Sequence, residues 1–188
     1  MREDVQRVGP RAHFGSFRLK CFARKVRFLP GSTHYADLLF IRANFSNFCI
    51  AIFMKTKPQL ELSDVKLIAA AAEAEALQNN WPVTIAIVDD GGHLLWLQRL
   101  DGAAPMSSHV APAKARTAAV GRKDTKAFED MINNGRTAFL SAPFVDGLLE
   151  GGVAIIKDGQ CIGAVGVSGV KASEDAQVAR AGIAALGL

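Results

Sequence analysis

His109, Lys114, Arg116 and Thr117 bring an imidazole, an ammonium, a guanidinium and a hydroxyl into one nine-residue stretch. The segment from His109 to Val120 reads as a helix that Gly121 breaks. A helix turns ~100° per residue, so His109, Ala113 and Arg116 share a face while Lys114 lies about 140° from His109. Lys114 and Arg116 therefore reach one small ligand only if the site wraps around the helix end. A helix N-terminus offers free N–H groups to an anion or carboxylate. An imidazole there has the chemistry to bind a metal or haem iron, or to pass a proton. The competing reading is structural: His109 as a cap or surface residue, and Lys114 and Arg116 in ion pairs with Asp89, Asp90 or Asp101.

The stretch Gly151–Gly169, GGVAIIKDGQCIGAVGVSG, offers a second surface. Asp158-Gly159 between two apolar runs predicts a hairpin with a type I′ turn, which needs positive φ at both central residues. Its return strand carries Gly163, Gly166 and Gly169. Glycine weakens a strand, so such a run predicts that something approaches the backbone closely. One candidate is a ligand wall at Gly166, Ser168 and Gly169; the other is a plain structural hairpin. Gly166-Val167-Ser168-Gly169 lacks the first half of a nucleophile elbow, so Ser168 is a poor nucleophile candidate. His93, after the turn Asp89-Asp90-Gly91-Gly92, is the other candidate iron ligand, or simply a solvated loop end. Adjacent Asp89 and Asp90 suit turn formation better than paired catalysis. No GxGxxG, Walker A, GxSxG or HExxH pattern occurs.

These residues need elements to hold them. Ser63-Asp64 opens an Ala-rich helix through Leu77, with Val65, Ile68, Ala69, Ala72 and Ala76 as its apolar stripe. Asn79-Asn80 ends it. Val83–Val88 and His93–Leu100 read as a first hairpin. Asp124 is placed to cap a short helix over Thr125–Ile132, and Thr137–Leu140 reads as a short strand. Val153–Ile156 and Cys161–Val167 form the second hairpin. Ser173 is placed to cap a last helix to Leu186, with Gly187 closing it and Glu174 and Asp175 suiting its dipole. Hairpin strands separated by helices predict an α+β fold, a mostly antiparallel sheet covered by helices.

The charge is unevenly spread. Residues 1–53 hold nine basic residues against three acids, and eight of the eleven Phe; residues 54–188 hold thirteen basic against fifteen acidic. The basic balance thus belongs to the N-terminal segment, and residues 54–188 do not read as a nucleic-acid binder. Leu38–Phe53 is apolar but interrupted by Arg42, Asn44 and Asn47, too short and polar for a membrane span. Residues 1–53 read as an extension outside the domain 54–188, either upstream of a second start at Met54 or a targeting or partner-binding arm. Cys21, Cys49 and Cys161 match no zinc spacing. An odd count favours a reducing, cytoplasmic compartment.

Six motifs in order carry a resemblance: Val88-Asp89-Asp90-Gly91-Gly92-His93-Leu94, Arg99-Leu100-Asp101-Gly102-Ala103, Lys114-Ala115-Arg116-Thr117-Ala118, Gly151-Gly152-Val153, Ile162–Gly169 and Asp175-Ala176-Gln177-Val178-Ala179. Residues 54–188 resemble the GlcG/HbpS family, also called the haem-degrading-domain family. The resemblance implies a profilin-like three-layer α/β/α fold with a five-stranded antiparallel sheet. It also implies homo-oligomers, in some members octamers. HbpS-like members bind haem, and other members accompany glycolate-utilisation operons. The recurrent Lys–Ala–Arg–Thr stretch carries over to Lys114, Ala115, Arg116 and Thr117; His109 stands where many relatives have an acid. Three functions follow as expectations: a cytoplasmic oligomer that binds haem or a similar cofactor, an enzyme for a small 2-hydroxy or 2-oxo acid, or an accessory to a glycolate-oxidising enzyme. In the second, Arg116 or Lys114 holds the carboxylate and His109 is the acid or base.

Overall fold

A computed structural model describes residues 56–143 and 145–188. The expectations for residues 1–53 lie outside the described residues. Helix α1 spans Leu62–Gln78 and buries Val65, Ile68, Ala69, Ala72 and Ala76, the five residues of the predicted stripe. It starts slightly early because Asp64 works from inside the first turn, where its carboxylate accepts the Glu61 N–H at 2.9 Å. Strands β1 (Thr84–Asp89) and β2 (Leu94–Arg99) form the first hairpin. Strands β3 (Gly152–Lys157) and β4 (Gln160–Ser168) form the second. Asp158 and Gly159 both have positive φ, 49° and 73°, as a type I′ turn requires.

Helix α2 runs over Ser107–Gly121, two residues earlier than the sequence suggests. Ser107 is fixed there by hydroxyl bonds to Ala104 O and Thr84 Oγ1, each 2.6 Å. Pro112 therefore lies inside the helix rather than in its first turn, and its missing N–H leaves the Ser108 carbonyl without an intrahelical donor. Arg122, at φ 54°, ends the helix in place of Gly121. Gly121 serves packing instead: a Cβ there would fall 2.5 Å from the Phe128 ring. Helix α3 is Lys126–Asn133 and α4 is Ala172–Ala184. Ser173 is not the cap of α4; the chain enters through Lys171, whose N–H bonds Glu174 at 3.2 Å.

The sheet has four strands in the order β2-β1-β4-β3, every pair antiparallel. The expected fifth strand at Thr137–Leu140 is instead a 3-10 turn, Thr137–Ser141. A strand needs a free edge, and the β3 edge is already taken: Thr125 exchanges 2.9 Å bonds with Gly152 and Asp124 accepts the Ala154 N–H. Phe139 packs on Phe128 at 5.4 Å between ring centroids, which holds the turn against α3.

Alternation assigns the two faces of the sheet. Ile85, Ile87, Val153, Ile155, Val165 and Val167 bury themselves under α1 and α4. Ala86, Val88 and Ala164 meet Ala111, Ala115, Ala118 and Ala119 of α2 on the other side. Three layers result. The alanines let α2 lie close, over β4 with β1 and β3 flanking, and it scarcely reaches β2. A bulge where Ile155 and Ile156 pair with Gly163 and Cys161 puts an extra residue, Ile162, in β4. It turns Cys161 toward α2, where the thiol lies 3.6 Å from Ala119 O.

Candidate functional site

The α2 residues singled out by their chemistry divide between two flanks. Helical spacing puts His109, Pro112, Arg116 and Val120 on one side, toward the β1–β2 turn. A Cβ built on Gly92 in that turn would come within 2.8 Å of Arg116 Cγ and 3.4 Å of Val120. His109 and Arg116 are both exposed. They stand ~10 Å apart along the axis. Arg116 has no ion-pair partner among the described residues.

Lys114 and Thr117 occupy the opposite flank, both buried. The Thr117 hydroxyl accepts the Gly147 N–H at 3.1 Å and fixes the loop before β3. Lys114 is only 3 % exposed. Its ammonium donates to Asp175 Oδ2 at 2.8 Å and to Val167 O at 3.0 Å. The partner is therefore not Asp89, Asp90 or Asp101. Asp175 also accepts the Val170 N–H at 3.2 Å. Burial raises the Asp175 carboxyl above its ordinary value, against the opposing pull of Lys114. Gly151 makes room for this pair. Its φ is 121°, and a Cβ there would fall 2.7 Å from Lys114 Nζ. A small carboxylate cannot be shared by Lys114 and Arg116, which point to opposite flanks.

The glycine run is approached closely, and by the chain itself. A Cβ on Gly166 would lie 2.2 Å from Ala111 O and 2.5 Å from Ala115 N. On Gly169 it would meet Pro82 O at 2.4 Å, and on Gly163 Val88 O at 2.5 Å. Ser168 is half-buried at the end of β4, paired with Thr84.

Asp89 organises the turn that carries His93. Its carboxylate accepts the backbone N–H of Gly91 at 2.9 Å and of His93 at 2.8 Å. It also lies 3.0 Å from His93 Nδ1. Partial burial works to raise the carboxyl, but the bonds from His93 and Gly91 outweigh it and hold Asp89 below its ordinary value. The imidazole is exposed, with Nδ1 engaged and Nε2 unpartnered among the described residues. His93 stands at the Arg116 end of α2 and His109 at the other, so the two imidazoles are not brought together. Asp90 pairs with Lys57. Among the described residues no three His, Cys, Asp or Glu side chains gather into a metal-binding group. None of their helices is long and apolar enough to cross a membrane. A groove of about 390 Å³, lined by Leu77, Trp81, Leu100, Glu73 and Asp101, includes none of the candidate residues.

Asp175, Asp124 and Thr125 escape a sequence reading. Asp175 looks like an ordinary first-turn acid, and nothing local marks its partner 61 positions away.

The chain as a whole is similar to known proteins. The chain is 56 % identical over 115 residues to Protein GlcG of Escherichia coli strain K12, covering 61 % of this chain and 85 % of that one. A double mutant of HbpS from Streptomyces reticuli superposes with a TM-score of 0.66 at 31 % identity, over 72 % of this chain and 92 % of that one. The PduOC:heme complex gives 0.62 at 32 % identity, over 68 % and 95 %. Residues 60–184 match the family described as haem degrading protein HbpS-like, and the chain belongs to that family.

Proposed function

We propose that this protein is a haem-binding member of its family, with His93 as the iron ligand. The observation that carries the reading is the likeness to PduOC, solved with heme, over nearly all of that chain. The residues present fit such a group. An iron-binding imidazole is commonly oriented by a carboxylate on its other nitrogen. Asp89 holds His93 Nδ1 in this way and leaves Nε2 outward. Arg116 and Val120 lie beside the same turn, and Leu94, which follows His93, is 51 % exposed. A cation and exposed apolar side chains suit a flat ligand with carboxylate arms. Bound haem supplies an iron centre for redox or ligand chemistry; the chain's part is to orient the imidazole through Asp89 and to neutralise a carboxylate through Arg116.

A hemin titration of the full chain followed by absorbance tests this. Saturable one-site binding is expected, weakened about tenfold or more by His93→Ala and about tenfold by Asp89→Asn. His109→Ala should leave it nearly unchanged. Non-saturating absorbance, unaffected by these substitutions, overturns the reading. The link to glycolate utilisation rests on the resemblance to GlcG. An enzyme for a small 2-oxo acid remains as a second reading because Arg116 and His109 share a flank. Glyoxylate binding lost in Arg116→Ala would favour it.

A further inference from the structure

The groove of about 390 Å³ opens where α1 ends and the chain turns into β1. A tight helix stop builds it. Asn80 takes the left-handed conformation, φ 56°. The Trp81 N–H then bonds back to Ala76 O at 2.9 Å, and the Asn80 N–H to Leu77 O at 3.1 Å. These are the two closing bonds of a helix that ends on a left-handed residue. They hold Trp81, which packs against the core, beside the last turn of α1. On the other side the Leu100 N–H bonds Val83 O at 3.0 Å, tying the chain that leaves β2 to the chain that enters β1. Backbone bonds thus fix both walls, and the volume falls within the ~300–1,000 Å³ common for small-molecule sites.

The lining carries one sign of charge. Leu77, Trp81 and Leu100 supply apolar surface, Asn80 an amide, and Glu73 and Asp101 two carboxylates. Among the described residues no lysine, arginine or histidine lines the groove. Glu73 is half-buried and Asp101 exposed. Neither has an ion-pair partner among the described residues. Glu75, two positions along α1, differs: its carboxylate accepts the Asn79 amide at 3.2 Å and the Gln177 amide at 2.7 Å. Arg99, next to Leu100, pairs in register with Thr84, whose hydroxyl bonds Ser107 of α2. It therefore stands on the α2 face of the sheet, whereas the groove lies on the α1 side.

An indole attracts a cation to its ring more strongly than the other aromatic side chains do, and a carboxylate adds a charge-assisted hydrogen bond. A carboxylate half-withdrawn from water gains from a countercharge brought to it. We infer that this groove binds a small organic cation: an ammonium or guanidinium group taken by Glu73 and Asp101, on an apolar body that lies along Leu77, Trp81 and Leu100. Strand β2 separates the groove from the His93 turn, and the seven residues from His93 to Leu100 span roughly 23 Å. The inference is therefore independent of haem binding.

The test is isothermal titration of the full chain with phenethylamine, an ammonium on a short aromatic body. The comparison is 2-phenylethanol, which keeps the body and lacks the charge. Saturable one-site binding of the amine is expected, about tenfold tighter than that of the alcohol. Glu73→Gln and Asp101→Asn keep the shape of the groove and should each weaken the amine about fivefold or more, with circular dichroism unchanged. Trp81 and Trp96 are the two tryptophans of the chain, so Trp96→Phe leaves Trp81 as the sole reporter. Its emission should change along the same isotherm. No saturable binding, equal affinity for the alcohol, or an affinity unchanged in both carboxamide variants overturns the proposal. So does a solution mass that falls by half in Leu77→Lys with no amine bound, which gives the groove to a second copy. Binding of an Arg- and Phe-rich peptide by a groove that refuses the amine also overturns it and gives the groove to a protein partner.

Discussion

Lys114 and Asp175 show what one buried pair does to a small protein. Both side chains are almost wholly shielded, and each also bonds a backbone group at the end of the sheet. Removing one partner strands the other charge, which typically costs about 3–5 kcal/mol. Lys114→Met and Asp175→Leu should each lower the unfolding free energy by that order, read as a lower urea midpoint. The double variant should lose less than the sum, because neither charge is then left alone. Chemical denaturation of the four proteins measures this coupling. The pair also has a pH signature. The Asp175 carboxyl is raised in the folded protein, so the folded state takes up its proton more readily than the unfolded one. Its contribution is greatest in acid and falls as pH rises through the folded value. Asp89 behaves oppositely. Its carboxyl sits below the ordinary 3.8, so its stabilisation is present above that value and is lost as pH falls through the folded one. Asp89→Asn should therefore flatten the loss of stability below about pH 4, as read from urea midpoints taken at a series of pH values.

At the scale of elements, the glycines decide how closely layers approach. Gly166 and Gly147 let the α2 backbone come nearer than any side chain would allow. Gly166→Ala drives a methyl toward Ala111 O and should destabilise the fold by about 1–3 kcal/mol, seen as a lower urea midpoint. Gly159→Ala, in a turn where nothing lies within 4 Å, should cost less and act only through its positive φ. These elements also show what a sequence discloses. The α1 stripe and the Asp158-Gly159 turn are local, so residue spacing and type suffice to find them. The glycine run announces a close approach, but not what approaches; here it is the chain's own helix and loop. Thr137–Leu140 has strand-compatible residues, yet a strand exists only by pairing, and Asp124 and Thr125 had already filled the edge. The flank assignment of Arg116 follows from helical angle alone. The Lys114 partner does not, because ion pairing across 61 positions leaves no periodic trace.

At the scale of the whole molecule, the three layers are joined by more than packing. Helix α2 lies on one face of the sheet and α4 on the other, and apolar contact alone would let either lift away separately. Lys114 reaches from α2 past the ends of β3 and β4 to Asp175 on α4, through the gap that Gly151 leaves. Opening one layer therefore exposes a charge belonging to the other. The protein should lose its two helical coats together rather than in stages. Native-state hydrogen exchange reads this directly: the slowest amides of α2 and α4 should share one opening free energy, and Gly151→Ala or Lys114→Met should split them into two classes. The same tie makes the described layers a single cooperative unit, in which a change that loosens α2 also loosens the helix on the far side of the sheet.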